Sequence, residues 1–335
     1  MDLRFLESDD SPWRAFVERR PERTVYQGVR WSRVLERVFG FRSAILARFD
    51  GDRLVGGLPF SQVEDFRGKR HIALPFADVC EPLGVELVSL EPFLAQGDAP
   101  WQIRSRVAPG PLARDVVEAG VHHLLALPQS ADDLHHGFHA KQRHDYRQAL
   151  AAGLTYRQTS LREGLEAFYE LFSIVKQRKH QRLPMGRGFM RAIAEVYGDD
   201  GFIGFSVHQD RMIAASLFVI EGTTVQYQFN GSDPDALELR PNHFLLACAM
   251  VDAIERGCAR MDLGLSNTEG LIRFKDRFGA QRETVYRGSY ATAPRTPQAA
   301  QMEESLRDVT RVLCAPGVPL DAAQTAGDVL YRYFL

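Results

Sequence analysis

Two stretches of the chain, residues 44–60 and 202–220, share one alternation of apolar and polar positions. Each stretch contains an apolar run, a short polar turn and a second strand-like run. Asp50-Gly51-Asp52 and His208-Gln209-Asp210 occupy the turns, and residues of this kind are typical of hairpins. The second run of each stretch follows an Asp-Arg pair and contains two adjacent small residues that allow close backbone approach. We therefore predict equivalent antiparallel hairpins in a duplicated α+β unit.

Spacings of three and four residues between apolar positions predict helices, whereas alternation predicts further strands. The predicted helices cover residues 132–152, 165–178, 189–197 and 241–256, and the predicted strands cover 154–156, 223–229 and 261–265. Residues 292–297 have the composition of a linker, and two helices are expected after it, around 299–313 and 322–331. We expect domains at 1–148 and 149–293, and a helical tail at 294–335 that packs back on the first domain because its last residues are apolar.

The second half has the element order hairpin, strand, turn, helix, strand, which resembles an acyltransferase of the GCN5-related type. In that fold a loop before the helix lends backbone N–H groups to a cofactor pyrophosphate. The corresponding loop here, residues 239–244, lacks glycine, and Pro241 removes one N–H donor. The loop therefore departs from an acetyl-CoA cradle. Arg240 and Asn242 are candidate substrate-binding residues, with a helix N-cap as the alternative for Asn242.

Three segments resemble motifs of the FemABX-like transferases and of the BioF2-like acetyltransferase-domain proteins. They are residues 139–149 with the following Gly153-Leu154, residues 240–246 at the start of the strongest helix, and residues 270–279. The resemblance covers roughly residues 40–290. It implies an α+β (mixed α/β) fold with two tandem GCN5-related domains, C-terminal helices, and a transferase site in a cleft that involves the second domain.

The same resemblance implies catalytic residues and donors. The lysine of the family's Phe-Lys motif lies at the catalytic centre, and here it is Lys275 after Phe274. Characterised peptidoglycan members move an amino acid from aminoacyl-tRNA to the amine of a cell-wall precursor. The long helical hairpin that some members use to bind tRNA has no counterpart in this sequence, so the donor is aminoacyl-tRNA or acyl-CoA.

The chemistry of these residues agrees with that expectation. Acyl transfer to an amine passes through a tetrahedral oxyanion, which a fixed cation such as Lys275 would stabilise. The attacking amine must lose a proton, and Asp262 is the candidate base. Tyr227 and Asn230 are candidates to line the cleft. The alternatives are a solvated surface lysine, a structural role for Asp262 as a cap or ion-pair partner, and packing or turn roles for the other two.

Two basic runs stand out in a chain of net charge -2. The candidate phosphate-binding residues are Lys141, Arg143 and Arg147 in the first run and Lys176 and Arg178 in the second. Phosphates of a nucleotide, CoA or RNA would bind such surfaces. The alternative is a solvated charged face.

Composition narrows the class of protein. The chain has 335 residues, 45% of them hydrophobic and 25% charged, which excludes a disordered chain and favours two domains. The four cysteines form no CxxC pair, so we expect neither a disulfide framework nor a metal site. The sequence shows neither a secretory signal nor an apolar run of membrane-spanning length, which predicts a cytoplasmic protein.

The sequence therefore predicts an N-acyltransferase in which a small-molecule amine attacks an acyl or aminoacyl donor directly. We expect no tightly bound cofactor, no DNA partner and a peptidoglycan or polysaccharide precursor, or a related small amine, as acceptor. A tRNA donor and peripheral contact with a lipid-linked precursor stay open. Two alternatives remain, an acyl-CoA-dependent enzyme acting on a sugar or small amine, and a non-catalytic twin-domain protein that binds RNA or another partner.

Overall fold

One mixed sheet of twelve strands runs through the described part of the computed structural model, which is residues 2–21, 23–97, 99–291 and 296–335. The strands are β1 (Asp2–Glu7), β2 (Arg42–Asp50), β3 (Arg53–Asp65), β4 (Gly68–Ile72), β5 (Trp101–Ser105), β6 (Arg114–Ala126), β7 (Thr155–Ser160), β8 (Gly201–His208), β9 (Arg211–Glu221), β10 (Thr224–Ser232), β11 (Arg260–Ser266) and β12 (Gln281–Tyr290). Their order across the sheet is β1-β2-β3-β4-β5-β12-β6-β11-β10-β9-β8-β7.

Helices connect these strands in the same order in both halves of the chain. They are α1 (Ser11–Glu18), α2 (Val29–Phe39), α3 (Leu87–Leu94), α4 (Ala131–Gly137), α5 (Ala140–Ala151), α6 (Leu161–Ile174), α7 (Arg187–Tyr197), α8 (Pro241–Glu255), α9 (Glu269–Asp276), α10 (Pro297–Leu313) and α11 (Leu320–Leu330). A π-helix, Val175–Lys179, extends α6. Two helices precede each hairpin, and one helix lies between the two parallel strands of each half.

The two halves of the sheet are related by an internal pseudo-symmetry. Strands β1 to β5 form four antiparallel strands and then a parallel pair, and β7 to β11 repeat that pattern. The last strand of each half is exchanged, because β6 pairs with β11 while β12 pairs with β5. Strands β6 and β12 also pair with each other at the centre of the sheet. This exchange joins the tandem units into one sheet.

The predicted hairpins are confirmed, and their registers match. The turn pairs Asp50 with Arg53 in the β2–β3 hairpin and His208 with Arg211 in the β8–β9 hairpin. Both hairpins have a register shift two residues from the turn. Gly56 is required by close approach, since a Cβ there would lie 2.6 Å from the carbonyl oxygen of Leu83.

The hydrophobic core extends across both halves. Its largest cluster contains buried aromatic side chains from the first half, such as Trp31 and Phe60, and from the second, such as Phe168 and Phe189. The rings of Trp31 and Phe189 meet edge to face with their centroids 5.7 Å apart. A second cluster surrounds α8, including Leu245. The halves therefore share buried surface as well as strands. No helix among the described residues combines the length and the apolar character needed to cross a bilayer.

Several predicted boundaries need correction. The helix expected over 132–152 is two helices, α4 and α5, because Phe138 is buried in an extended conformation between them. Arg143 stabilises this break by donating to the carbonyl groups of His136 and Phe138. The domain boundary predicted after residue 148 falls inside α5, which packs on α8. The division into domains at 148 and 293 stays a prediction.

The helical tail contacts both halves. Helix α11 packs on α6 and α7, and Asp328 accepts a hydrogen bond from the Gly188 N–H. The last residues reach the first half, where Arg67 donates to the carbonyl groups of Tyr333 and Leu335. The sequence predicts a tail that packs on the first domain, and the structure has its last residues there while α11 lies in the helix layer of the second half. Of the predicted linker, residues 292–295 lie outside the described residues.

Candidate functional site

A fork opens in the sheet where the parallel strands β10 and β11 separate. They pair only from Thr224 and Arg260 to Gln226 and Asp262. Beyond this point β10 follows β9 and β11 follows β6, with a register shift in β11 between Asp262 and Gly264. Gly264 has a φ of 73°, a left-handed conformation that glycine tolerates. The fork exposes backbone groups of β11 to side chains from other elements.

Lys275 lies at this fork. Its side chain comes from α9, which Thr268 caps at the N-terminus, and only 3% of the residue is exposed. Its Nζ atom donates to the carbonyl oxygens of Gly264 at 3.0 Å and Leu265 at 3.1 Å. An ammonium group has three N–H donors, so one remains for a ligand. Burial lowers the pKa of Lys275 to about 8, against the opposing charges of Asp78 and Asp262.

Asp262 is buried beside Lys275, but its carboxylate already has two partners. Its Oδ1 atom lies 2.8 Å from Nε2 of His122 and accepts a hydrogen bond of 2.8 Å from the Gly264 N–H. Burial favours the protonated carboxyl group, yet the pKa of Asp262 is lowered because His122 and the Gly264 N–H favour the charged form. The geometry favours the ion-pair alternative, in which Asp262 positions the Gly264 turn.

His122 completes this buried pair. Burial opposes its charge, but the adjacent Asp262 carboxylate raises the pKa of His122 to about 9. Its Nδ1 atom lies 3.8 Å from Glu283, too far for a hydrogen bond, and Glu283 pairs with Arg106 at 3.1 Å. The sequence shows His122 but not its partner, because Asp262 lies on a different strand.

Asp78 is the carboxylate that the sequence reasoning missed. It lies between β4 and α3 in the first half, and its Oδ2 atom accepts a hydrogen bond of 3.0 Å from the Leu265 N–H. That oxygen occupies the space where a side chain at Gly264 would lie. Burial raises the pKa of Asp78, although the Leu265 N–H and the Lys275 ammonium oppose the shift. A carboxylate with a raised pKa beside a buried lysine is suited to proton transfer.

Gln226 and Tyr26 are two further polar side chains at the site. Gln226 is 1% exposed, and neither its amide nitrogen nor its amide oxygen has a partner among the described residues. Tyr26, from the first half, donates from its hydroxyl group to Gln228 Oε1 at 3.2 Å. Burial and the charges of Asp78 and Asp262 raise the pKa of Tyr26. An unpartnered buried amide is unfavourable in itself, so Gln226 is a candidate ligand-binding group.

Lys176 belongs to the same region, whereas Arg178 does not join it. The Lys176 ammonium lies 5.1 Å from the centroid of the Phe172 ring, on the π-helix that extends α6. Burial and Arg182 lower the pKa of Lys176, while Asp78 opposes the shift. Arg178 is exposed on the π-helix.

A second cluster of charges surrounds Asp145. Its carboxylate, which is buried, lies 2.6 Å from Lys141, 3.6 Å from Arg240, 3.5 Å from Arg277 and 3.9 Å from His243. Burial opposes ionisation of Asp145, but Lys141 and the other cations lower its pKa. Lys141, a predicted phosphate ligand, and Arg240, a predicted substrate-binding residue, therefore have a protein carboxylate as partner. Both of these binding roles stay predictions.

The remaining predicted residues have local partners. Arg147 donates to the Arg143 carbonyl group, one turn away on α5. Phe274 packs on the ring of His243, with the centroids 4.8 Å apart, and so joins α9 to the Asp145 cluster. Tyr227 packs on Phe218, with ring centroids 5.6 Å apart, on the side of the sheet that faces α8.

Asn230 and Asn242 bind each other beside the fork. Asn230 donates to Asn242 Oδ1 at 3.1 Å and to Ser216 at the same distance, and Asn242 donates to Ser232 at 3.3 Å. Asn242 is not the N-cap of α8, because Arg240 occupies that position with a φ of 61° and Pro241 follows it. These amides support the start of α8.

Within the described ranges, no group of three or more histidine, cysteine or acidic side chains is arranged to hold a metal ion. The four cysteines are free. Burial raises the pKa of Cys80, Cys248, Cys258 and Cys314, which disfavours the reactive thiolate. None of them is a candidate nucleophile at this site.

Comparison with known proteins agrees with the fold. Residues 140–276 match the acetyltransferase (GNAT) domain family. The crystal structure of FemX superposes with a TM-score of 0.65 and 13% identity, covering 92% of this chain and all of FemX. A C-terminal (DUF2156) domain from Agrobacterium fabrum, described as that of a lysylphosphatidylglycerol synthetase, superposes with a TM-score of 0.54 and 15% identity over 92% of this chain and 97% of its own.

The structure of L-PGS from Bacillus licheniformis superposes with a TM-score of 0.51 and 12% identity, covering 92% of this chain and 98% of that one. At these identities the likeness is one of fold. The comparison with curated proteins finds no match. The GNAT match lies in the second half, and the internal pseudo-symmetry gives the first half the same strand pattern. The chain is therefore an acyltransferase of the GNAT fold, with two such units in tandem and the matched acetyltransferase domain at residues 140–276.

Proposed function

We propose that the chain transfers an acyl or aminoacyl group to the amine of a small acceptor, with the transfer centre at the fork between β10 and β11. The observation that carries the proposal is the Lys275 ammonium, buried and held by the carbonyl groups of Gly264 and Leu265, with Asp78 beside it. The second half supplies the cation and the first half supplies the carboxylate. The exchanged strands β6 and β12 bring the two halves together at this site.

The proposed step is direct attack by the acceptor amine. The amine nitrogen bonds to the carbonyl carbon of the donor, and the carbonyl oxygen becomes an oxyanion that the Lys275 ammonium stabilises. Asp78 accepts the proton that the amine loses. The C–O bond of an aminoacyl ester or the C–S bond of a thioester then breaks, and the proton returns to the departing oxygen or sulfur. No acyl-enzyme intermediate is needed.

The identity of the donor rests on different features. The loop before α8 has no glycine, and Pro241 at the start of α8 lacks an N–H, which disfavours an acyl-CoA pyrophosphate at that point. The fold likeness to the Agrobacterium fabrum domain described as that of a lysylphosphatidylglycerol synthetase favours an aminoacyl donor. We therefore propose aminoacyl-tRNA first and acyl-CoA second. Both donors are made in the cytoplasm, which is the proposed compartment.

The test is a screen by mass spectrometry. Purified protein is incubated with amine acceptors, including amino sugars and muropeptides, and with aminoacyl-tRNA and acyl-CoA in parallel. The expected result is an acceptor whose mass rises by one acyl or aminoacyl group. A product formed only with acyl-CoA would favour the second donor. Absence of any product across both donor classes would favour the non-catalytic alternative.

Three variants test whether product formation depends on the residues at the fork. We expect Lys275→Ala and Asp78→Asn to abolish most of the turnover, and Lys69→Ala, an exposed lysine on β4, to leave it unchanged. Circular dichroism and thermal unfolding of each variant control for folding. Normal turnover in a folded Asp78→Asn protein would remove Asp78 from the proposed mechanism.

A further inference from the structure

A cavity of about 680 Å³ lies away from the Lys275 fork, between α10 and the segment that follows the π-helix. Arg182 lines it from that segment, and Arg307 and Arg311 line it from α10. No aspartate or glutamate is among the described residues that line it. Its volume is that of a typical pocket for a small organic ligand.

Two of the three arginines have no carboxylate partner within the described ranges. Arg311 pairs with Asp308 at 3.0 Å, one turn away on the exposed face of α10. Neither Arg182 nor Arg307 lies within 4.0 Å of an acidic side chain in the part of the chain that the structure describes. Arginine presents a planar fork of N–H donors that matches the oxygens of a phosphate group. The polar side of the cavity is therefore complementary to a phosphorylated group.

The rest of the cavity wall is apolar. Leu183 and Cys314 are buried there, and the rings of Tyr331 and Phe334 close one side, with their centroids 5.9 Å apart. Phe334 is 39% exposed, so part of its ring is free to cover a ligand. Burial raises the pKa of Tyr331 to about 12, against the charge of Arg182, so its hydroxyl group stays neutral. Charged and apolar walls thus meet in one cavity.

We propose that this cavity binds a phosphorylated ligand with an apolar body, its phosphate held by Arg182 and Arg307 and its apolar part packed on Phe334. Two classes of ligand combine a phosphate with an apolar part: a phosphate ester of an alkyl chain, and a nucleoside diphosphate, whose base has an apolar face. The inference goes beyond the proposed function, because binding is measured without any transfer reaction.

The cavity is also linked to the fork. The Arg182 N–H donates to the Lys176 carbonyl group at 2.9 Å, and Lys176 lies on the π-helix near Asp78. The backbone at Arg182 is therefore held against the π-helix that carries Lys176.

The test is isothermal titration calorimetry of the full chain with n-octyl phosphate below its micellar concentration, and separately with adenosine diphosphate, inorganic pyrophosphate and octyl glucoside. We expect one molecule of octyl phosphate or adenosine diphosphate to bind, with an affinity that falls as sodium chloride is raised. The tighter binder of the two shows whether the cavity prefers an alkyl phosphate or a nucleoside diphosphate. Octyl glucoside lacks the phosphate and pyrophosphate lacks the apolar part, so each should bind at least tenfold more weakly.

Variants locate the site. Arg182→Gln and Arg307→Gln should each raise the Kd about tenfold, since hydrogen bonds to charged groups contribute that much. Phe334→Ala should raise the Kd for octyl phosphate severalfold and leave weak pyrophosphate binding unchanged. Arg53→Gln, at the exposed β2–β3 turn, is the matched control and should bind like the original protein. Equal loss in Arg53→Gln, no effect of Arg182→Gln and Arg307→Gln, or pyrophosphate binding as tight as octyl phosphate would each overturn the proposal.

Discussion

His122 Nε2 lies 2.8 Å from Asp262 Oδ1, and both side chains are only 3% exposed. The pair joins β6, the exchanged strand of the first half, to β11 of the second half at the point where the fork opens. Asp262 in turn accepts the N–H of Gly264, whose carbonyl group holds Lys275. A buried ion pair therefore connects the exchange of strands with the position of the proposed catalytic cation.

Breaking this pair should destabilise the protein. We expect His122→Gln to lower the free energy of unfolding by about 3–5 kcal/mol, because the Asp262 charge would stay buried without its partner. The comparison is Arg53→Gln, which removes one partner of an exposed pair and should change stability by less than about 1 kcal/mol. Urea unfolding at pH 6 measures both. A loss of similar size in the two variants would contradict the proposed difference.

The pair also predicts how stability depends on pH. The pKa of His122 is raised from 6.5 to about 9, so its contribution is complete below pH 6.5 and is lost as the pH rises through 9. The pKa of Asp262 is lowered below 3.8, so its contribution is present above pH 3.8 and is lost as the pH falls. We expect the difference in unfolding free energy between the original protein and His122→Gln to shrink from pH 6 to pH 10. A constant difference would mean that His122 is not charged in the folded state.

Lys275 should govern the rate of transfer once a donor and an acceptor are known. We expect Lys275→Ala to lower kcat by a factor on the order of 10²–10³, the usual effect of removing one preorganised oxyanion donor. Lys275→Arg should not restore it fully, because a planar guanidinium does not fit the space of a compact ammonium. The pKa of about 8 also predicts that kcat falls above pH 8 as the ammonium deprotonates. Lys69→Ala is the control, and a folded Lys275→Ala protein with the original kcat would refute the catalytic role.

Replacing Gln226 with an apolar residue should make the protein more stable and less active. Its buried amide has no partner among the residues that the structure describes, which costs about 1–3 kcal/mol, so we expect Gln226→Met to increase the free energy of unfolding by roughly 1 kcal/mol. The same change should lower kcat/KM if the amide binds substrate. Gln142→Met is the matched comparison, because that buried amide already bonds to the carbonyl group and ring of His243 and its loss should destabilise the protein. Destabilisation by Gln226→Met would show that the amide is satisfied in solution.

The Asp145 cluster predicts an asymmetry between a carboxylate and its cations. Asp145→Asn should lower the free energy of unfolding by about 2–4 kcal/mol, because one buried charge serves four partners. Lys141→Ala should change it by less than about 1 kcal/mol, since that side chain is 43% exposed. Thermal and urea unfolding distinguish the two. If Lys141 also binds a substrate phosphate, Lys141→Ala will raise KM and reduce its salt dependence, which tests the prediction made from the sequence.

Local patterns in the sequence determined the elements that depend on neighbouring residues. The matched turns at 50–52 and 208–210 predicted both hairpins, because a two-residue turn fixes register by itself. The apolar spacing from Pro241 predicted α8 to within a residue of its end. Phe274-Lys275 was found through a resemblance, and its burial at the fork could not be derived from α9 alone, where the residues around it are largely exposed or half-buried.

Tertiary structure decided the contacts between distant residues. Asp78 and Leu265 are separated by 187 positions, and no periodicity relates them. Their hydrogen bond exists because β6 and β12 change places between the halves and bring the first half's loop to the second half's fork. The same exchange paired His122 with Asp262, which made the predicted base an ion-pair partner. The chemistry of each side chain can therefore be predicted from the sequence. The partner of a buried charge depends on the strand order, which long-range packing determines.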